Sequence, residues 1–166
     1  MTAAPTIARL TVADAAAYRG LRLEALQNAP SAFGSSYEAE SKNSLADFEG
    51  TLTRSYIAGA WLNGSLVGTA GFYREQHIKV AHRGNVWGVY VKPEARGRGL
   101  ARALVTDVLA HARTQVKQAH LSVVTENESA RRLYEALGFT IYGTEPRSLF
   151  VDGRYLDEHM MVLRLD

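Results

Sequence analysis

The segment Arg96-Gly97-Arg98-Gly99-Leu100-Ala101 has the residue pattern best suited to chemistry in this 166-residue chain. It lies between a β-branched and aromatic run that Pro93 ends and a stretch with helical periodicity. The free N–H groups of a first helical turn and the positive end of the helix dipole attract phosphate. The two glycines leave room for an anion to reach the backbone, and the two arginines, with Arg102 beyond them, add positive charge. The segment therefore predicts a polyphosphate site.

The spacing of this segment narrows the choice of ligand. A dinucleotide fingerprint would need a third glycine where Arg102 stands, and a P-loop would need Gly-Lys-Ser/Thr. Neither pattern is present. Taken alone, a Gly-Arg-Gly run is equally typical of a flexible turn whose arginines are solvated.

Two spaced motifs resemble those of a known family. Arg96-x-x-Gly99-x-Ala101, preceded by Val89-Tyr90-Val91-x-Pro93-Glu94, is similar to the Arg/Gln-x-x-Gly-x-Gly/Ala motif of the GNAT superfamily of acetyl-CoA-dependent N-acetyltransferases. Asn127-x-Ser129-Ala130-x-x-Leu133-Tyr134-x-x-x-Gly138-Phe139 resembles the family's downstream helix. Together the motifs cover about residues 85 to 142, and their joint spacing is more specific than either alone.

The resemblance implies a role for each matching residue. Backbone amides from Gly97 to Ala101 would hold the pyrophosphate of acetyl-CoA, and the backbone of Val89, Tyr90 and Val91 would pair with the pantetheine arm like an added strand. Asn127 would donate or accept a hydrogen bond in the pantetheine region. Tyr134 would lie near the thioester sulfur and protonate the departing thiolate.

The chemistry of acyl transfer supports a tyrosine in that role. Attack of an amine on a thioester needs a neutral amine, a donor for the carbonyl oxygen and a proton for the leaving sulfur. A phenol with an ordinary pKa of about 10 keeps its proton at neutral pH and can deliver it to a thiolate. The N–H of Val91 is a candidate for polarising the carbonyl. The competing interpretation places Tyr134 in the core, because it shares an apolar stripe with Ala130, Leu133 and Leu137.

The sequence does not identify a general base. Many family members carry a glutamate on the strand before the phosphate loop, whereas this chain has Asn85, Trp87 and Gly88 there. Six other side chains are candidates: Glu38, Glu40, His77, His82, Asp157 and Glu158. A water chain would also serve, so no base is assigned.

Composition excludes several other classes of protein. The net charge of +2 is too small, and the basic residues are too dispersed, for nucleic-acid binding as the main function. The absence of cysteine excludes disulfides and thiolate sites and fits a reducing cytoplasm. No His-Glu-x-x-His spacing predicts a metal site, and no apolar run or signal-like N-terminus predicts contact with a membrane.

Hydrophobic periodicity predicts the elements of the N-terminal half. These are a strand over Ile7–Val12, a helix from Asp14, its predicted N-cap, to about Gln27, a weaker helix over Ser44–Leu52 and a hairpin of Tyr56–Trp61 with Leu66–Tyr73. Asn63-Gly64 has the composition of a type I′ turn. The loop Ser31–Ser36 is small and polar, as functional loops often are.

The second half alternates strands and helices before it ends in strands. A strand over Asn85–Val91 contains Gly88, which indicates a bulge. A helix after Gly99, a strand over His120–Val124 and a helix ended by Gly138 follow, the last helix capped by Thr125 with Glu128 or by Asn127. Strands are predicted over Thr140–Tyr142, Arg147–Val151 and Arg154–Leu165, with Asp152-Gly153 as a hairpin turn.

These elements predict a mixed α/β domain spanning residues 1–166, with a mostly antiparallel sheet of about seven strands, a central splayed parallel pair and helices on both faces. With the resemblance, they predict an N-acetyltransferase that uses acetyl-CoA and no metal, acts on a small-molecule or peptide amine, and forms a possible homodimer. Two alternatives remain. One is an acyl-CoA-binding sensor or partner-binding domain without turnover, and the other is a factor whose arginines bind nucleic-acid phosphates.

Overall fold

The computed structural model describes residues 3–166. Met1 and Thr2, which the predicted domain includes, lie outside the described residues. The strands are β1 (Thr6–Arg9), β2 (Tyr56–Leu62), β3 (Ser65–Arg74), β4 (Arg83–Val91), β5 (Gln118–Val124), β6 (Thr140–Val151) and β7 (Arg154–Arg164). The helices are α1 (Ala15–Asn28), α2 (Tyr37–Glu40), α3 (Leu45–Arg54), α4 (Leu100–Gln115) and α5 (Glu128–Ala136).

The seven strands form one sheet in the order β1-β2-β3-β4-β5-β7-β6. Every neighbouring pair is antiparallel except β4 and β5, which are parallel and joined through α4. The predicted fold class is confirmed, including the central parallel pair. A parallel pair needs a crossover connection, and the helical period after Gly99 supplies it.

Helices cover both faces of the sheet because the strand residues alternate between two apolar clusters. Ile57 points into a cluster with α1 and α3, whereas its neighbour Ala58 points into a cluster with α4. In α4 the predicted stripe is buried at Leu104, Val105, Val108 and Ala112, while Ala101 is half-buried. Tyr134 of α5 joins the α4 cluster.

Three local predictions are corrected. The opening strand ends at Arg9, and Val12–Asp14 is a 3₁₀ turn because Thr11 and Asp14 cap each other reciprocally. Asp14 consequently does not use its side chain to cap α1. The two short strands predicted between Thr140 and Val151 form one strand with an irregularity between Glu145 and Leu149.

The predicted tight turns are present at both hairpins. Asn63 and Gly64 have φ of 51° and 78°, and Asp152 and Gly153 have φ of 49° and 76°. Such paired positive φ values are those of type I′ turns, which fix the register of the strands they join. The helix after Val124 ends with Gly138 at φ 100°, as its glycine predicted.

Candidate active site

A cleft opens in the sheet where the parallel strands stop pairing. Strands β4 and β5 are paired only over Arg83–Asn85 with Gln118–His120. Beyond that point, Val86–Val91 on one side and Leu121–Val124 on the other line a cleft of about 770 Å³. The opening lies toward the carboxyl ends of both strands, where open α/β sheets bind ligands.

A bulge at Gly88 redirects β4 along this opening. Gly88 has φ of 63°, and the pairing of β3 with β4 shifts register between Thr69 and Gly71. The hydroxyl of Thr69 donates to the Gly88 carbonyl at 3.3 Å, which fixes the extra residue. The bulge predicted from the sequence is therefore present, and it lies on the wall of the cleft.

Backbone groups beyond the bulge face the cleft. The Lys92 N–H donates to the Val67 carbonyl of β3 at 2.8 Å. Peptide groups alternate in direction along a strand, so those of Val91 and Val89 point away from β3 and into the opening, whereas that of Tyr90 points toward β3. The Arg96 Nε donates to the Val91 carbonyl at 3.0 Å, which leaves the Val91 N–H as a donor toward the cleft.

The glycine turn closes one end of the cleft. Gly97 and Gly99 have φ of 78° and 73°, and Gly99 is the N-cap of α4 without a side-chain cap. The first N–H groups of α4 are therefore free to bind an anion. A Cβ on either glycine would meet no atom within 4 Å, so the space beside the turn is open.

Tyr134 forms part of the opposite wall. Its side chain is 7% exposed, lines the cleft and contacts the Phe139 ring edge-on at 6.0 Å between centroids. Burial raises the pKa of Tyr134 to about 12, so the phenol keeps its proton at neutral pH. The hydroxyl makes no hydrogen bond with residues 3–166 and is not sealed from solvent, which leaves it available in the cleft.

Comparison with known proteins identifies the family. The model of the acetyltransferase (GNAT) family matches residues 22–139, which is more than half of the chain. The chain belongs to this family. Among residues 3–166, no helix is long and apolar enough to cross a membrane, and no group of three or more metal-ligating side chains is present.

Individual relatives agree with the assignment. The chain is 33% identical over 88 residues to spermidine N(1)-acetyltransferase of Vibrio cholerae, covering 52% of this chain and 51% of that protein. It is 28% identical to the L-amino acid N-acyltransferase MnaT of Escherichia coli, covering 76% of this chain and 75% of that protein. The matched region thus spans about half of the spermidine enzyme but three quarters of MnaT.

A solved structure shares the whole fold. YncA of Salmonella typhimurium, described as a putative acetyltransferase with its cofactor acetyl-CoA, has a TM-score of 0.83 at 25% identity. The superposition covers 99% of this chain and 95% of that chain. The seven-stranded sheet with one splayed parallel pair is therefore the family fold.

The structure of this GNAT chain places most predicted site residues together. The cleft is lined by Val89, Tyr90, Val91, Arg96, Gly97, Gly99, Ala101, Asn127 and Tyr134. Arg98 and Leu100 do not line it, because the Arg98 side chain is exposed elsewhere and Leu100 is packed in the core at 4% exposure. Only the backbone of these two residues is available to a ligand in the turn.

Asn127 holds the start of α5. Its side-chain oxygen accepts from the Ala130 N–H at 3.3 Å and from the Ser129 hydroxyl at 3.3 Å. This settles the choice between the two caps that the sequence allowed. Because its oxygen is used as the cap, the Asn127 amide nitrogen is the group of this cleft-lining residue that is left to donate to a ligand.

None of the six candidate bases lines the cleft. Glu40 lies in a neighbouring pocket and accepts two hydrogen bonds from Arg22, at 3.0 and 2.8 Å. Burial alone would raise the pKa of Glu40, but hydrogen bonds from Arg22 and Ser35 outweigh it and lower that pKa. Asp157 accepts from the Arg147 N–H at 2.8 Å. Among residues 3–166, Glu126 is the carboxylate that does line the cleft, and Arg154 pairs with it at 3.0 Å.

Two parts of the site were not predicted as such. One part is the 3₁₀ turn Pro30–Ala32, around which the cleft is lined by Ala29, Ser31 and Ala32. The sequence identified Ser31–Ser36 as a loop of functional composition, which includes two of these three residues. Trp87, which the sequence placed in a strand without a role in the site, lines both the cleft and the neighbouring pocket. Simple alternation along β4 would place Trp87 and Val89 on the same side of the strand. The bulge at Gly88 changes the phase, so Val89 packs against the α4 cluster and Trp87 against the α1 and α3 cluster.

Proposed function

We propose that residues 1–166 act as one N-acetyltransferase domain, which transfers the acetyl group of acetyl-CoA to a primary amine of a small molecule or peptide. One observation carries the proposal. A single cleft joins the open glycine turn at the N-terminus of α4, the free backbone edge of β4 and the Tyr134 hydroxyl. An elongated thioester with a diphosphate at one end matches this sequence of groups.

The residues present fit coenzyme A. The amides from Gly97 to Ala101 would bind the pyrophosphate, aided by the charges of Arg96 and Arg102, whose side chains line the cleft. The carbonyl of Val89 and the N–H of Val91 would pair with the pantetheine amides, with Asn127 donating from the other wall. The open space beside the two glycines supports this arrangement, because no protein atom competes for it.

The transfer step uses three groups. The neutral amine attacks the thioester carbonyl carbon, a C–N bond forms, and the C–S bond breaks as the thiolate leaves. The N–H of Val89, rather than the Val91 N–H that the sequence made a candidate, would stabilise the carbonyl oxygen as it gains charge, because Val89 lies next to the bulge and Val91 lies at the glycine-turn end of the cleft. Tyr134 would donate its proton to the sulfur. The burial that raises the pKa of Tyr134 would also raise the pKa of a thiol formed beside it, because desolvation disfavours both anions.

The acceptor must lose a proton before or during attack. The lowered pKa of Glu40 makes it a poor base, and Glu126 is already paired with Arg154, so no side chain is assigned to this step. Water in the cleft reaching backbone carbonyls remains the working route. The names of the relatives, which refer to spermidine and to L-amino acids, support an amine as the acceptor class.

Calorimetry with acetyl-CoA and a thiol-release assay test this function. We expect saturable acetyl-CoA binding, and free thiol produced in proportion to acceptor when a panel of amino acids, polyamines and peptides is supplied. No affinity at millimolar coenzyme would refute the proposal. Binding without thiol release from any amine would favour the sensor alternative, and a steep fall of nucleic-acid affinity with salt would favour the nucleic-acid factor.

We also propose a cytoplasmic homodimer. The outer strand β6 is twelve residues long, and exposed aromatic side chains, Tyr142 and Phe150 on β6 and Tyr155 on β7, lie near this edge. An unpaired edge with apolar side chains is suited to pairing with a second copy. Light scattering at micromolar concentration measures the mass directly, and a monomer across the concentration range would reject the dimer.

A further inference from the structure

A second pocket lies behind the bulge of β4, on the α1 and α3 face of the sheet. Its volume is about 230 Å³, and its lining includes Tyr18 and Arg22 of α1, Glu40 of α2, Asp47 of α3 and Trp87 of β4. Trp87 also lines the main cleft, so the two spaces are adjacent. The acetyl-transfer chemistry proposed above uses none of these side chains.

Arg22 is held rigidly at the boundary between the two spaces. Its side chain is 9% exposed and is fixed by two hydrogen bonds, from Nε and Nη2 to the Glu40 carboxylate at 3.0 and 2.8 Å. The guanidinium lies 5.1 Å from the Phe33 ring centroid and 5.4 Å from that of Trp87. A Cβ on Gly88 would lie 3.6 Å from Nη1, so this nitrogen is next to the bulge.

The unused hydrogen-bonding group next to the bulge is a donor, the Arg22 Nη1. Within residues 3–166, the Arg22 Nη1 and the Tyr18 hydroxyl donate to no acceptor, whereas the Trp87 Nε1, also without an acceptor, is buried against Gly71 of β3. Glu40 accepts twice from Arg22, one hydrogen bond on each oxygen, and Asp47 accepts from the Ser44 N–H at 2.8 Å and from its hydroxyl at 3.0 Å, both through Oδ2. A ligand group that reaches the Arg22 Nη1 is therefore required to bring an acceptor.

We propose that Arg22 Nη1, beside the bulge, binds a free carboxylate of the acceptor, so that the preferred substrates are α-amino acids. The inference rests on the proposed acetyltransferase function and names its substrate class. An arginine fixed by one carboxylate presents its remaining N–H groups in a defined direction, which suits recognition of a second carboxylate. An α-amino acid fits because only two bonds separate its carboxylate from the amine, and Gly88 is next to Val89, where the thioester is placed.

The same geometry disfavours a polyamine. A second ammonium group beside the bulge would lie against the Arg22 guanidinium, and the Glu40 carboxylate there is already paired with that guanidinium. An amide in place of the carboxylate would lose the charge-assisted hydrogen bond to Nη1. Such a bond is worth roughly ten- to a hundredfold in a binding or rate ratio.

Matched acceptors test the proposal without altering the protein. We compare kcat/KM at saturating acetyl-CoA for several L-amino acids, their primary amides, the amines that lack the carboxylate, and spermidine. The amine of the amide is less basic than that of the amino acid, and the amine that lacks the carboxylate is more basic. A difference in amine basicity therefore cannot make the amino acid the better acceptor in both comparisons. We expect the free acid to exceed both by roughly tenfold or more.

Arg22→Lys then tests the residue. Lysine keeps the charge but lacks the second nitrogen of the fork, so the preference for acid over amide should fall close to unity while acetyl-CoA binding stays unchanged. Arg19→Lys is the matched control on the same helix, where Arg19 stacks on Phe48 at 5.8 Å, and it should keep the preference. Thermal melting of both variants identifies a folding defect, and the wild-type acceptor comparison decides the question if Arg22→Lys does not fold.

The inference would be overturned if amides, decarboxylated amines or spermidine had a kcat/KM equal to that of the free acids. It would also be overturned if Arg22→Lys left the preference for the acid intact. The absence of turnover with any free amino acid would overturn it as well. Each of these results is compatible with acetyl-CoA binding and transfer to another amine. Failure of the acetyltransferase function itself would instead appear as loss of coenzyme binding in the wild-type chain.

Discussion

The two ends of strand β4 use glycine in opposite ways. At the paired end, a Cβ on Gly84 would overlap the Phe72 ring and lie 2.6 Å from the Tyr73 carbonyl oxygen. At the open end, beyond β4 itself, a Cβ on Gly97 or Gly99 would meet no atom within 4 Å. Gly84 makes room for a core side chain, whereas Gly97 and Gly99 leave room for a ligand.

This difference separates stability from ligand binding along one stretch of chain. Between Arg83 and Asn85, β4 is paired on both sides and its neighbours are fixed by the sheet. After Gly88 one side of the strand is free, and its peptide groups face the cleft. Substitutions at the paired end should therefore change the free energy of unfolding, and substitutions around the open end should change binding or turnover.

Tyr134→Phe is expected to give the largest effect, at the open end. Loss of a general acid should lower kcat by roughly a hundredfold or more, because only the proton donor is removed. The acetyl-CoA dissociation constant and the melting temperature should change little, since the ring still packs on Phe139. Steady-state kinetics with calorimetry measure both quantities. An unchanged kcat would return Tyr134 to a purely structural role.

Gly84→Ala is expected to cost about 3 kcal/mol of unfolding free energy, at the paired end. The added methyl group meets the Phe72 ring, which is 2% exposed, and a backbone oxygen that the sheet holds in place. Urea denaturation measures the loss, and the acetyl-CoA affinity of the folded fraction should be unchanged.

Gly20→Ala is the control for this prediction. Gly20 lies within α1 with no atom within 4 Å of its Cβ position, so alanine there should raise the unfolding free energy by roughly 0.5 to 1 kcal/mol. Equal changes in unfolding free energy for Gly84→Ala and Gly20→Ala would contradict the contrast between crowded and open glycines.

The sequence predicted the elements that have a clear period and missed those that do not. Helix α1 was predicted from Asp14 to about Gln27 and runs over Ala15–Asn28, because an apolar stripe and Pro30 mark its length. Helix α2, Tyr37–Glu40, was not predicted, since four residues cannot show a helical repeat. Residues 140 to 151 were divided into two strands because Pro146 and Arg147 interrupt the alternation, although pairing with β7 continues past them.

The site was predictable only where its residues are close along the chain. The turn around Gly99 and the helix carrying Tyr134 have local motifs, and both line the cleft. The pairing of Arg22 with Glu40 is a contact between side chains 18 positions apart, and its position beside Gly88 depends on how α1 packs on the sheet. No local pattern encodes that packing, so the second pocket became visible only in three dimensions.

Gly99→Ala should weaken acetyl-CoA binding by roughly tenfold, because the methyl group would occupy the space reserved for the phosphates. Its φ of 73° also makes alanine strained, which should cost about 1 kcal/mol of stability. Gly153→Ala is the matched control, with φ of 76° and equally open surroundings in the β6–β7 turn. It should show the same loss of stability with an unchanged dissociation constant, and equal affinities for the two variants would reject the phosphate site.

Asn127→Ala should produce the smallest effect and separates two roles of one side chain. Its oxygen caps α5, as the Ser44 hydroxyl caps α3 by accepting from the Asp47 N–H at 3.2 Å. Either alanine variant should lose about 1 kcal/mol of unfolding free energy, because each leaves a first-turn N–H without its acceptor. Only Asn127 also lines the cleft, so Asn127→Ala alone should weaken acetyl-CoA binding, by roughly two- to tenfold. If Ser44→Ala weakened binding as much, the effect would come from general loosening of the fold, and Asn127 would be a cap without a contact to the coenzyme.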